Sequence, residues 1–238
     1  MPAVTKMNKA RPPERRQSFG RGFTLIEFLI SIAIVSVILA IVVSNQPKYL
    51  DGIALTNLAD EVSSMVFQAQ AWSAGVKEFS PGLGEFSASY GLTFNLLGSG
   101  SNTAYLFFAD RSVYPNIVGN KIYDGDWSCP IGGASECLGK FDISRGNYIE
   151  SLCVLYYTSP IYYVDNCDVG RVDISFAYSS GETQLLFYKT SGNLFNLKEL
   201  TQTEGAKIVL KSPGGLSWSV VVHTNGQVSV LKTESQTQ

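Results

Sequence analysis

The 238-residue chain is 16% charged and 45% hydrophobic, with a mean hydropathy of +0.09, enough material for one sizeable core and a membrane element. Its net charge of −2 hides an asymmetry: residues 1–22 carry +5 and the remainder −7. A basic head, then an apolar run, then an acidic body places the head in the cytoplasm and the body outside, and excludes the basic surface that a nucleic-acid partner needs.

In chain order, residues 1–22 read as a polar leader without periodicity, containing Pro12-Pro13. From Phe23 to Val43 the sequence is apolar and rich in Ile and Val, broken only by Thr24, Glu27, Ser31 and Ser36, and long enough to span a bilayer at the ~20 residues required. A secretory signal peptide would be shorter and end in small residues, whereas ILAIVVSNQPKY follows here. Glu27 interrupts the run, although an unpaired charge in lipid costs several kcal/mol. The hydrophobic assembly helix is set at 23–46 and an amphipathic continuation at 47–79, with Pro47 expected to kink or interrupt the helix. In that continuation Leu55, Leu58, Val62, Met65, Val66, Ala69 and Trp72 recur at helical spacing and predict one apolar stripe packed on a sheet.

Ser80-Pro81-Gly82 is expected to stop the helix, and residues 80–238 read as a β-rich domain. Candidate strands are SASYGLTFNL, TAYLFFAD, NKIYD, SLCVLYY, IYYVD, RVDISFAY, TQLLFYK, AKIVLK, LSWSVVVHT and QVSVLK. No helix-length apolar pattern separates them, so the sheet should be largely antiparallel and the class α+β. Asn225-Gly226 suits a type I′ hairpin turn. The four cysteines, Cys129, Cys137, Cys153 and Cys167, lie beyond the apolar run in spacings unlike a zinc site. An even count on the exported side favours disulfides. Of three possible connectivities, Cys129–Cys137 with Cys153–Cys167 is the expected one, the second pair flanking a strand–turn–strand.

GFTLIE at residues 22–27, preceded by a basic leader and followed by an apolar helix, resembles the processing site of type IV prepilins. The helix-then-sheet layout is similar to pilins and type II secretion pseudopilins, with the sheet-rich H-type minor pseudopilins nearest. The resemblance implies cleavage by a membrane-bound prepilin peptidase between Gly22 and Phe23, N-methylation of Phe23, and Glu27 as fifth residue of the mature chain. It further implies a structural role: polymerisation with other pilin or pseudopilin subunits, homo- or heteropolymeric, from an inner-membrane assembly platform. The subunit would be a single-pass inner-membrane protein, leader in the cytoplasm and domain outside, before entering a surface filament or pseudopilus (a fimbrium in the wider sense). The leader is longer than many in the family, and the helix-breaking proline falls at Pro47 where the pattern would put it near position 44.

Physically, a freed Phe23 amine is mostly cationic at neutral pH, with a reference pKa of ~8. A neighbouring subunit's amine beside Glu27 in an apolar core would serve as a register device, because a misplaced subunit strands two buried charges. The alternative reading is a monomeric, membrane-anchored exported binding or adhesion domain. Asp110, Asn116, Asn120, Asp124 and Asp126 supply oxygen ligands that suggest calcium, but their spacing matches no EF-hand and equally suits an ordinary turn. The single histidine, His223, has no partner imidazole and no nucleophile elbow accompanies it, so no enzymatic activity, cofactor or metal is expected. Tyr156, Tyr157, Tyr162, Tyr163, Phe176 and Tyr178 suggest an aromatic face suited to adhesion.

Overall fold

The computed structural model describes residues 22–79, 86–111, 119–130, 135–159, 162–195 and 203–233. The chain divides into two compact units, Met1–Gln46 and Pro47–Gln238. Helix α1, Leu25–Ala74, supplies the first unit's described residues after Thr24 and opens the second unit. It is assigned without a break through Pro47 and Gly52, so of the kink or interruption expected at Pro47 the interruption does not occur. Pro47 has no N–H to give the ladder, which costs the helix a hydrogen bond there while the assignment continues on either side.

In the second unit α1 buries one stripe: Leu55, Leu58, Ala59, Val62, Val66, Ala69 and Ser73, with Met65 and Trp72 partly buried beside it. These positions repeat every three to four residues, as a single helical face must. Each fully buried Leu or Val of the stripe contributes roughly 2 kcal/mol. The helix ends at Ala74, ahead of the expected Ser80-Pro81-Gly82 stop, which lies outside the described residues. The ending is a Schellman motif. Lys77 N–H reaches the Trp72 carbonyl at 3.1 Å, Val76 N–H points to Ser73 O at 3.4 Å, and Val76 takes the left-handed φ of 54°. Glycine normally fills that position; here Gly75 falls one residue early.

Nine strands are assigned among the described residues: β1 Ser89–Asn95, β2 Ala104–Asp110, β3 Cys137–Asp142, β4 Tyr148–Ser159, β5 Tyr162–Phe176, β6 Thr183–Lys189, β7 Thr203–Lys211, β8 Ser217–His223 and β9 Val228–Thr233. All pairings are antiparallel, in the order β3-β2-β1-β5-β4-β7-β8-β9, with β6 added to β5. The chain is therefore α+β, a long amino-terminal helix followed by an antiparallel sheet domain. Period-two alternation turns Tyr90, Leu92, Phe94, Tyr105, Phe107, Val172, Ile174, Phe187, Ile208 and Val220 towards the helix stripe as one core.

The opposite face of β2 buries Ala104, Leu106 and Phe108 under Tyr123, Trp127, Cys129 and Cys137, a second, smaller core. The segment 119–130 lies across that face as a strap. NKIYD was expected to be a strand within it and is not. Its backbone N–H groups are taken by side chains instead of a ladder: Asn120 and Lys121 donate to the Asp110 carboxylate at 3.0 and 2.7 Å, and Asp124 donates to Glu136 Oε2 at 2.9 Å. From the sheet, Arg171 Nη2 donates to the Tyr123 carbonyl at 2.5 Å, and the Ser175 hydroxyl donates to the Lys121 carbonyl at 3.1 Å. Arg171 also pairs at 2.7 Å with Asp173, which is fully buried. Two disulfides form, Cys129–Cys137 tying the strap to β3 and Cys153–Cys167 joining β4 to β5.

The β8–β9 loop also departs from expectation. Only Gly226 is left-handed, at φ 84°, whereas a type I′ turn would need Asn225 there as well. His223 N–H donates to the Gln227 carbonyl at 2.8 Å and Gly226 N–H to the His223 carbonyl at 2.9 Å, closing a three-residue loop.

Candidate functional site

The residues singled out for processing and assembly stand at the start of α1. Gly22, Phe23 and Thr24 precede its first turn, and Phe23 is 76% exposed. A Cβ built on Gly22 would meet nothing within 4 Å, so the fold itself makes no demand for glycine at this position.

Thr24 and Glu27 form a reciprocal cap. Glu27 N–H donates to the Thr24 hydroxyl oxygen at 3.3 Å. In return the Glu27 carboxylate accepts the Thr24 N–H at 3.3 Å and the Thr24 hydroxyl at 3.2 Å. This T-x-x-E arrangement is a capping box, satisfying donors that a helix start otherwise leaves orphaned. A carboxylate in the first turn also faces the positive end of the helix dipole. Thr24 is a member of the site that the sequence reading missed, although its spacing from Glu27 was the available signal.

Further along, polar side chains turn onto the helix itself. The Ser31 hydroxyl donates to the Glu27 carbonyl at 2.7 Å, and the Ser44 hydroxyl to the Ile41 carbonyl at 2.9 Å. A hydroxyl satisfied in this way adds little penalty in an apolar surrounding. The large apolar residues from Phe23 to Val43 are all exposed, and the most apolar window of α1 has no buried share. A core helix of a soluble protein would be covered; this one is long and apolar enough to cross a membrane and is bare.

A family model for the prokaryotic N-terminal methylation motif matches residues 20–43. The chain carries the signature of type IV pilins and pseudopilins. No curated protein and no solved structure matches it. The methylation motif spans the capping box and the bare apolar stretch together, and its family is structural.

The other sequence-predicted residues fall elsewhere. Asp110 closes β2, and both its oxygens accept strap N–H groups, while Asn120 Nδ2 donates to Asp124 Oδ2 at 2.6 Å. Asp126 Oδ1 accepts Ser128 N–H at 2.7 Å. Asn116 lies outside the described residues. The strap carboxylates thus fasten backbone, and no group of three His, Cys, Asp or Glu suited to a metal occurs among the described residues. Burial lifts Glu136 to about 7, opposed by the Asp124 N–H and reinforced by the Asp110 and Asp124 carboxylates. Burial likewise raises the Asp110 carboxyl. His223 serves the β8–β9 loop through its backbone. Of the aromatic set, Phe176 is core, Tyr156 packs partly against that core, and Tyr178 is exposed. The side chains of Tyr157, Tyr162 and Tyr163 lie outside those described.

Proposed function

We propose that this chain is the precursor of a type IV pilin-like or pseudopilin subunit, cut by prepilin peptidase after Gly22, methylated at Phe23 and polymerised through its amino-terminal helix. The observation that carries the reading is the methylation motif coinciding with an apolar helix bare on every side. On this reading residues 1–22 are the leader, 23–46 the membrane and assembly helix, 47–79 its amphipathic continuation and 80–238 the exported domain. Gly22 is free of steric demand in the fold, which fits a glycine required by an external protease.

Glu27 then has two successive partners. In the precursor its carboxylate belongs to the capping box, so it enters the bilayer with hydrogen bonds already made. After cleavage a neighbouring subunit's Phe23 ammonium takes up the same carboxylate in the filament core, fixing register. Apolar burial, at ~25 cal/mol per Å², drives the bundling of the helices. The head-to-tail contact is heterologous and grows an open polymer.

The testing variant is Glu27→Gln, which keeps the acceptor of the cap and removes the charge. It should be cut and membrane-bound at wild-type levels but enter assembled polymer at less than about a tenth of the wild-type yield, as expected when several kcal/mol of pairing are lost. Wild-type polymer yield from Glu27→Gln refutes the register role.

A further inference from the structure

Within the second unit a pocket of about 350 Å³ opens between the flank of α1 and β3, the edge strand of the sheet. Its helix wall is Met65, Gln68 and Trp72, spaced three and four residues apart and therefore on one side of α1. The Trp72 ring meets Tyr90 and Phe107 edge-on at 5.4 and 5.2 Å, and those two rings floor the pocket. The far wall is β3. Gly139 is paired with Phe107, so the place beside that ring on the helix-facing side carries no side chain. A Cβ there would stand 3.2 Å from the Phe141 ring, which leans along the vacant position. The register shift between Phe107 and Phe108 adds Leu138 to β3 and lets it pack towards the same core. Phe79 completes the lining, with the Arg111 guanidinium over its ring at 4.1 Å.

One cation is built into this aromatic enclosure. Lys77 is pinned on both sides of its backbone: its N–H donates to the Trp72 carbonyl at 3.1 Å, and its carbonyl accepts the Tyr90 hydroxyl at 2.9 Å. Its ammonium lies over the Trp72 ring at 2.8 Å. Among the described residues no carboxylate pairs with it. Burial lowers its pKa, as expected of an ammonium that has lost water without gaining an anion. Glu78, next in sequence, bears on the Tyr90 hydroxyl and is not part of the lining. The Gln68 amide is the other polar group of the walls.

Apolar walls with a few convergent polar groups are the usual make-up of a ligand site. We propose that this pocket binds a small aromatic acid, its ring between Trp72, Phe107 and Phe141 and its carboxylate on the Lys77 ammonium, with the Gln68 amide donating to the second oxygen. The uncompensated ammonium selects the anion, and the vacancy at Gly139 makes room for the ring. The strand beside the pocket argues for a free acid over a peptide: the bulge at Leu138 and the exposed Lys140 are devices that keep an added strand off a sheet edge. The site lies wholly within the second unit and does not depend on processing at Gly22.

The chain has three tryptophans, so the full-length protein labelled with fluorotryptophan gives three fluorine NMR signals, and Trp72→Phe assigns the one that matters. In phosphatidylcholine nanodiscs, hydrocinnamate should move the Trp72 signal saturably, with half-saturation at about 1 mM, and leave Trp127 and Trp218 in place. The neutral hydrocinnamamide should bind about tenfold more weakly, and Lys77→Met should abolish that difference between acid and amide. Gly139→Leu, which fills the vacancy from the edge strand, should abolish binding while unchanged Trp127 and Trp218 signals show that the domain is folded. A Trp72 signal indifferent to hydrocinnamate overturns the proposal. So does movement of all three signals together, which shows partition without a site, or an acid preference that survives Lys77→Met. An acetyl-Phe-Asp-amide peptide that binds tenfold more tightly than the free acid shows a protein-docking pocket and overturns the assignment as well.

Discussion

Glu136 links the strap to the sheet, and removing its charge should reshape the pH dependence of stability. Its side chain is 4% exposed and faces the Asp110 and Asp124 carboxylates, with Arg111 on the flanking strand end. Burial raises it from the usual 4.5 to about 7. A carboxyl raised in the native state binds its proton more tightly there than in the unfolded chain. Between pH 4.5 and about 7 the native state therefore holds the extra proton, and stability must fall as pH rises through that window. At 1.36 kcal/mol per unit the shift from 4.5 to about 7 has a ceiling of ~3 kcal/mol, of which the range from pH 5 to 8 samples about 2 kcal/mol. For a domain of this size that is ~4–8 °C in Tm. Thermal unfolding of the full chain in detergent, followed by near-ultraviolet circular dichroism from pH 5 to 8, measures it. The wild type should lose about 5 °C across that range, and Glu136→Gln should flatten most of the fall and melt higher at pH 8. A wild-type Tm that is flat or rises from pH 5 to 8 refutes the reasoning, as does an undiminished fall in Glu136→Gln.

Two further perturbations bear on the fold. Val76 occupies the left-handed position of the helix-ending motif at φ 54°, so Val76→Gly should stabilise by about 1 kcal/mol and raise Tm by ~2–4 °C, read in the same melts. A Cβ on Gly91 of β1 would stand 2.3 Å from the Ile174 carbonyl oxygen and 2.9 Å from the Phe108 ring, so Gly91→Ala should lower stability by ~1–3 kcal/mol in denaturant titration, with a midpoint near wild type contradicting the contact.

The helix and most strands were legible because their apolar periodicity is local. Leu55, Val62 and Val66 repeat every three to four residues, and Tyr90, Leu92 and Phe94 every two. The strap was not legible, because what holds it comes from elsewhere in the chain. Asp110, Glu136 and Arg171 supply its bonds from β2, from beside β3 and from β5, so NKIYD resembled a strand only while those partners were unseen. β3 was overlooked because CLGKFD is too polar and glycine-rich to alternate, and it forms by pairing with β2. The helix stop escaped because a valine holds the position where glycine is the usual sign. At the site, Gly22, Phe23 and Glu27 stood out as a contiguous motif, whereas Thr24 carried its meaning only through its spacing to Glu27.

The most direct test of the account is the mass of the amino-terminal peptide of the protein purified from membranes of cells that contain a prepilin peptidase. The account predicts a mature chain beginning at N-methylated Phe23, with residues 1–22 absent. A membrane-bound protein whose terminal peptide still runs through Gly22 into Phe23, unmethylated, would contradict it.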